Sequence, residues 1–175
     1  TAFAELETRE IDIAVIPSED APVRFEKRSL YEEDFVLVMR PGHIFRQHPS
    51  IGAYCEHRHL VVSMTGDPHG FVDEILAKQG RRRGVALTVP NFMFACAILA
   101  DTDLICAIPR RFAAQYAARF GLSIEEPPMS FGQFSLDAFV PKAALADAGL
   151  NWLLDRLAAV GGRSDVEVAT EKRRS

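Results

Sequence analysis

The sequence predicts an α/β fold of two lobes, with a parallel sheet covered on both faces at its centre, and two observations carry that prediction. Residues 85–109 (VALTVPNFMFACAILADTDLICAIP) read as strand, helix, strand, with a proline closing each strand. Elsewhere, short apolar β-type runs alternate with segments of helical spacing, the pattern of a sheet covered by its own crossovers. The runs 85–89 and 104–108 are almost wholly apolar, as strands buried on both faces are. Residues 92–100 between them are rich in helix formers, Asn91 is a good N-cap, and Pro90 forces an extended approach to it. The first N–H groups of that helix lack intrahelical partners, so the turn at 89–92 is suited to receive an anion.

Residues 11–16 (IDIAVI) form a strand closed by Pro17, after the end of a helix near Phe3 and Leu6. A polar loop at 18–22 leads to an exposed strand, 25–30 (FEKRSL). Glu32-Glu33-Asp34 reads as an acidic turn before a buried strand, 35–39. Pro41 and Gly42 punctuate the chain. One helical turn at 51–55 and a strand at 59–64 (HLVVSM) follow. Phe71, Val72, Ile75 and Leu76 have amphipathic helical spacing, ended by Gly80. Arg81-Arg82-Arg83 reads as a solvated connector. Beyond Pro109, a helix at 110–120 carries Phe112, Tyr116 and Phe120 on one face. Residues 122–128 run extended, and 134–140 form a strand closed by Pro141. A helix at 150–160 turns Trp152, Leu153 and Leu157 inward and stops at Gly161-Gly162. The strands at 35–39 and 134–140 are read as adjacent crossings between lobes, giving 1–39 with 130–162 as lobe I, 40–129 as lobe II, and 163–175 as a disordered tail.

At 175 residues and 48% hydrophobic, the chain has material for one domain or two small lobes. A net charge of −4 and a sequence pI of about 5.7 do not advertise nucleic-acid or membrane binding. The three cysteines, Cys55, Cys96 and Cys106, are an odd number in apolar or mixed surroundings, and read as reduced thiols of a cytoplasmic protein. No apolar run is long enough to span a bilayer. The opening Thr1-Ala2-Phe3-Ala4 has no initiator methionine and reads as cut from a longer protein.

Four stretches, in order, resemble one family. LETREIDIAVI is similar to the L-x-x-G-E-L-D-L-A-I of LysR-type transcriptional regulators, and LYEEDFVLVMRPGHI to their L-x-x-E-x-x-x-L-V-x-x-x-x-H-P-L crossover. TVPNFMFACAILADTDLICAIPRRFA resembles the strand, helix and strand that end in the proline of G-L-G-I-A-L-L-P. AFVPKAALADAGLNWLLDRL resembles the closing W-H-x-R-x-x-x-D-P-A-x-x-W-L segment. The chain departs from the pattern at Arg9, where a glycine is usual, at Asp101-Thr102-Asp103, and at Phe139 to Lys142, which lack the tryptophan.

The resemblance implies a periplasmic-binding-protein type 2 fold that senses a small, anionic effector between lobes, without catalysis of its own and without a cofactor. It implies a homo-oligomer that meets DNA only through a helix-turn-helix domain. That domain, and the first strand–helix–strand of the effector domain, would precede Thr1. The expected ligand site is Ser63, Met64, Thr65 and Gly66 after one strand, with Pro90, Asn91 and Phe92 after the next. Hydroxyls and backbone N–H groups there suit a carboxylate, and Met64 and Phe92 suit an apolar body. The alternative on the same fold is the solute-binding protein of a transport system. An enzyme would need a convergent acid–base set, and none is legible: G-x-S-x-G, P-loop and G-x-G-x-x-G patterns are missing. His57 and His59 with Cys55 lack a partner cluster at zinc-like spacing, so no metal is expected. Both histidines are read as surface residues just before a strand.

Overall fold

In chain order the elements are α1 (Ala2–Thr8), β1 (Ala14–Pro17), β2 (Phe25–Met39), α2 (Ile51–Glu56), β3 (Arg58–Val62), α3 (Phe71–Ala77), β4 (Gly84–Val89), α4 (Phe92–Ala100), β5 (Leu104–Pro109), α5 (Arg110–Tyr116), β6 (Ser123–Glu125), β7 (Gln133–Pro141) and α6 (Ala148–Lys172). Short 3-10 turns lie at Ile44–Gln47, Ala117–Phe120 and Lys142–Ala146. This computed structural model describes residues 1–17 and 21–172, with side chains as far as 162. Part of the polar loop expected at 18–22 lies outside the described residues, as do 173–175 of the expected disordered tail. The backbone of α6 continues through Gly161 and Gly162 to Lys172, past the helix end and into the tail read from the sequence.

The architecture is mixed α/β with parallel and antiparallel pairs. Two units make it up: Thr1–Glu33 with Gln133–Ser175, and Asp34–Gly132. The boundary falls inside β2, one strand of fifteen residues where the sequence reading has two strands and an acidic turn. The turn does not form because no glycine, proline or positive φ is there to make it. The acidic charge is instead met by a cation: Arg110 forks onto Asp34 (Nε–Oδ1 2.6 Å, Nη2–Oδ2 3.0 Å) and reaches Glu126 at 2.6 Å. The expected adjacency of 35–39 with 134–140 is corrected: β7 neighbours β2, but outside residues 35–39. Residues 35–39 themselves pair with β5 (Phe35↔Pro109 to Val38↔Cys106) and β6 (Leu37↔Glu125 to Met39↔Ser123).

In the first unit β1 runs antiparallel to β7, from Ala14↔Phe139 to Pro17↔Leu136. One face carries Ala14, Phe25 and Phe139 beneath Leu6 of α1, with the Phe3 ring 5.0 Å from Phe25 and 5.3 Å from Phe139. The other carries Leu30, Ala138 and Val140 beneath Leu154 of α6. The inward stripe of α6 is thus Leu150, Leu154, Leu157 and Ala158, at helical spacing. Trp152 is 62% exposed and Leu153 41%, so the inward orientation expected of those two is corrected: they lie off the phase that Leu154 fixes. Arg9 closes α1 at φ 58, the left-handed conformation that a glycine adopts without a Cβ penalty.

In the second unit the sheet order is β6–β2–β5–β3–β4, with β3 parallel to both β4 and β5. The period of two sorts the side chains. Val36, Val38, Cys106 and Ile108 face Ala95, Leu99, Ala113 and Ala117 of α4, α5 and the turn that follows. Leu37, Met39 and Ile105 face Phe45, Tyr54, Val72 and Leu76. Cover on both faces is therefore right for β2 and β5. It is not right for β4, an edge strand with Leu87 40% exposed. The crossover through α4 skips over β3 to reach β5, which leaves β4 outermost.

Candidate functional site

Adjacent parallel strands bring the two expected segments together. β3 and β4 end in register at Val62↔Val89, and the Ser63 N–H donates to the Val89 carbonyl at 2.8 Å. Ser63 and Thr65 share a hydroxyl contact at 3.3 Å, and Gly66 takes φ +79. Asn91 is extended and its Oδ1 accepts the Phe94 N–H at 2.9 Å, the cap of α4. Pro90 and Thr65 are exposed, and Met64 is 91% exposed. Phe92 is half-buried, 5.5 Å from the Phe112 ring.

Beside the carboxyl end of β3 lies a cavity of about 190 Å³. Its wall includes Phe92, and Val62 just ahead of Ser63; the other six expected residues are not in it. Phe35 and Phe71 form a second aromatic wall, their rings 4.4 Å apart. Among the described residues, Arg83 is the only charged one lining it. Its side chain is 3% exposed, which corrects the reading of all three arginines as a solvated connector; Arg81 and Arg82 are exposed.

Arg83 is held by a closed polar network. Nε and Nη2 donate to the Asp73 carboxylate at 3.0 and 2.8 Å, and Nη1 donates to the Tyr54 hydroxyl at 2.9 Å. Asp73 Oδ2 also accepts the Gly70 N–H at 3.0 Å, at the start of α3. Burial pushes the Asp73 carboxyl up, but the hydrogen bonds from Arg83 and Gly70 outweigh it and hold the group below the usual carboxylate range. Burial raises the Tyr54 hydroxyl against the pull of Arg83. Nothing in the sequence marks Arg83 out from its neighbours, because its partner Asp73 belongs to a separate helix and neither periodicity nor spacing links them.

His59 is fully buried within β3, where the sequence reading has a surface residue. Its ring lies 4.4 Å from Tyr54, and Nε2 donates to the Tyr54 carbonyl at 2.7 Å. Burial lowers its pKa to about 4, so it is neutral near pH 7. His43 is also buried, its Nδ1 accepting the Phe45 N–H and its Nε2 donating to the Asp103 carbonyl, both at 3.2 Å. These histidines are committed to the backbone. Cys55, Cys96 and Cys106 are free thiols, and burial raises Cys106 to about 12, which leaves it inert. Among the described residues no group of His, Cys, Asp and Glu could hold a metal ion, and no helix is long and apolar enough to cross a membrane. The first unit has a larger groove of about 810 Å³, lined by Ile11, Ile13, Leu150 and Leu153. Most of its wall is exposed and none of its polar side chains is buried.

The family described as the LysR substrate binding domain matches residues 1–162. The chain belongs to this family. It is 29% identical over 150 residues to the HTH-type transcriptional activator NagR of a Ralstonia species, covering 85% of this chain and 50% of NagR. The chain thus spans about half the length of the curated relatives it matches. The regulatory domain of MexT, a transcriptional activator in Pseudomonas aeruginosa, is 31% identical with a TM-score of 0.78, over 89% of this chain and 76% of that one. The effector binding domain of QuiR, described in complex with shikimate, has the same fold at a TM-score of 0.73 and 12% identity, over 93% of this chain and 77% of that one. LysR effector-binding domains have a periplasmic-binding-protein type 2-like fold, the architecture that the four motifs imply.

Proposed function

We propose that this chain is the effector-binding and oligomerisation part of a LysR-type DNA-binding regulator, and that it senses a small organic acid beside the carboxyl ends of β3 and β4. The observation that carries the reading is the aromatic-walled cavity adjoining Ser63 and the capped start of α4. Ligands of open α/β sheets sit outside the carboxyl ends of the strands. A carboxylate there gains from α4's free N–H groups by about 0.3–1 kcal/mol if exposed. The shikimate complex of QuiR supports the reading, since the same fold there carries a small organic acid. Calorimetric titration of small aliphatic and aromatic acids tests it, with Thr65→Val and Asn91→Ala beside the wild type. At least one acid binds; weakening by both variants puts its carboxylate at the strand ends, and unchanged affinity in both puts the carboxylate elsewhere.

The partner in assembly is a second copy of the chain. Leu87 on the edge strand and Met93 and Phe94 on α4 are 40%, 44% and 52% exposed, an apolar surface of the kind that associates. The outward residues of α1 and α3, by contrast, include Glu5, Glu7 and Glu74. DNA contact in this reading belongs to a helix-turn-helix outside residues 1–175, as the names of the relatives support. The cytoplasm is the compartment that suits three free thiols.

A further inference from the structure

Arg83 is in the cavity wall, and its charged end shares a carboxylate with a second wall residue. Asp73 Oδ2 accepts both Arg83 Nη2 and the Gly70 N–H, and Gly70 is itself in the cavity wall. A guanidinium has five N–H donors. Asp73 and Tyr54 take one each from Nε, Nη1 and Nη2, which leaves one N–H on each terminal nitrogen. A desolvated cation with two spare donors is matched by a carboxylate, which accepts two parallel N–H bonds. The rest of the wall is apolar and includes three aromatic residues: Phe35 and Phe71, with rings 4.4 Å apart, and Phe92. The volume of about 190 Å³ sits just above the ~150 Å³ that accommodates a benzene ring in an engineered cavity, and below the ~300–1,000 Å³ of sites for drug-sized ligands.

We infer that Arg83 is the anchor of this cavity, and that its ligand is a single-ring aromatic carboxylate held with its carboxylate on the spare guanidinium N–H groups and its ring among the phenylalanines. The inference rests on the ligand-sensing reading above and deepens it. It moves the anionic end of the ligand away from the Ser63 and Thr65 hydroxyls and into the second unit's interior. It also ties occupancy to α3, because the carboxylate that holds Arg83 belongs to that helix and receives the N–H of its N-cap residue, Gly70.

The test uses the whole chain and three probes: benzoate, neutral benzamide, and acetate. Binding is read by calorimetry and by the Nε–Hε resonance of Arg83 in ¹⁵N-labelled wild-type protein, which needs no variant to fold. Benzoate is expected to move that resonance saturably and to bind at least tenfold tighter than benzamide or acetate. Arg83→Lys, which keeps the charge but not the fork, is expected to weaken benzoate tenfold or more. Benzoate that binds while leaving the Arg83 resonance unmoved, or benzamide that binds as tightly, overturns the anchor and leaves the ligand-sensing reading standing. Acetate binding as tightly as benzoate overturns the aromatic assignment. If none of the three binds and no other small acid does, the ligand-sensing reading falls and the anchor with it.

Discussion

Asp73→Asn removes the charge that faces a guanidinium only 3% exposed. Asparagine keeps one carbonyl oxygen, which serves either the Gly70 N–H or one nitrogen of Arg83. Its amide group then points donors at a donor. Breaking a fully buried ion pair from one side costs about 3–5 kcal/mol, because the remaining charge is left uncompensated. Asp73 itself is 19% exposed, so a loss of about 2–4 kcal/mol is expected. Urea unfolding followed by circular dichroism at pH 7 measures it, with the m-value unchanged. Replacing both partners, Asp73→Leu with Arg83→Met, is expected to cost less than Asp73→Asn alone, since no orphaned charge remains. The pH dependence has a fixed sign. Asp73 is held below its ordinary pKa, so its contribution is complete above the unfolded value of about 3.9 and is lost as pH falls through the folded value. A loss under about 0.5 kcal/mol, the ordinary range of surface substitutions, would refute the account of Arg83 as buried and dependent on Asp73.

Three further outcomes are expected. His59 titrates at about 4 in the folded chain against about 6.5 unfolded, so on the order of 3 kcal/mol of stability is lost as pH falls across that window. His59→Leu flattens the slope there, as urea midpoints at several pH values will read. Gly161→Ala puts a Cβ 2.6 Å from the Leu30 carbonyl oxygen; the overpacking cost of about 1–3 kcal/mol exceeds the ~1 kcal/mol of helix propensity gained, and the melting temperature falls. Leu87→Asp with Phe94→Glu abolishes self-association: light scattering across a concentration series gives a single-chain mass for the variant and a larger one for the wild type.

The fold was legible where local pattern and tertiary burial agree. Pro90, Asn91 and the apolar run after them specify a capped helix, and the structure has that cap in place. Likewise the unbroken apolar runs at 35–39 and 104–108 are the pattern of strands covered on both faces. Legibility failed where a distant partner decides the outcome. Glu32 to Asp34 look like a turn until Arg110, 76 residues away from Asp34, supplies the countercharge. His59 looks superficial until the Tyr54 carbonyl and ring enclose it. Arg83 looks solvated until Asp73 and Tyr54 meet it. The ends of β3 and β4 were legible from position alone, because proline and asparagine mark where β4 stops, and Phe92 is the one expected residue in the cavity wall. The cavity was not, since Phe35, Phe71 and Arg83 come from β2, α3 and the connector before β4, with no common spacing.

The central claim is that the second unit receives a small acid beside the end of β3. The most direct measurement is a crystal structure of the chain with whichever small carboxylic acid most raises its melting temperature. That acid is expected in van der Waals contact with Phe92 and Val62, inside the cavity. An acid seated in the groove lined by Ile11 and Leu153, with the cavity beside β3 empty, would contradict it.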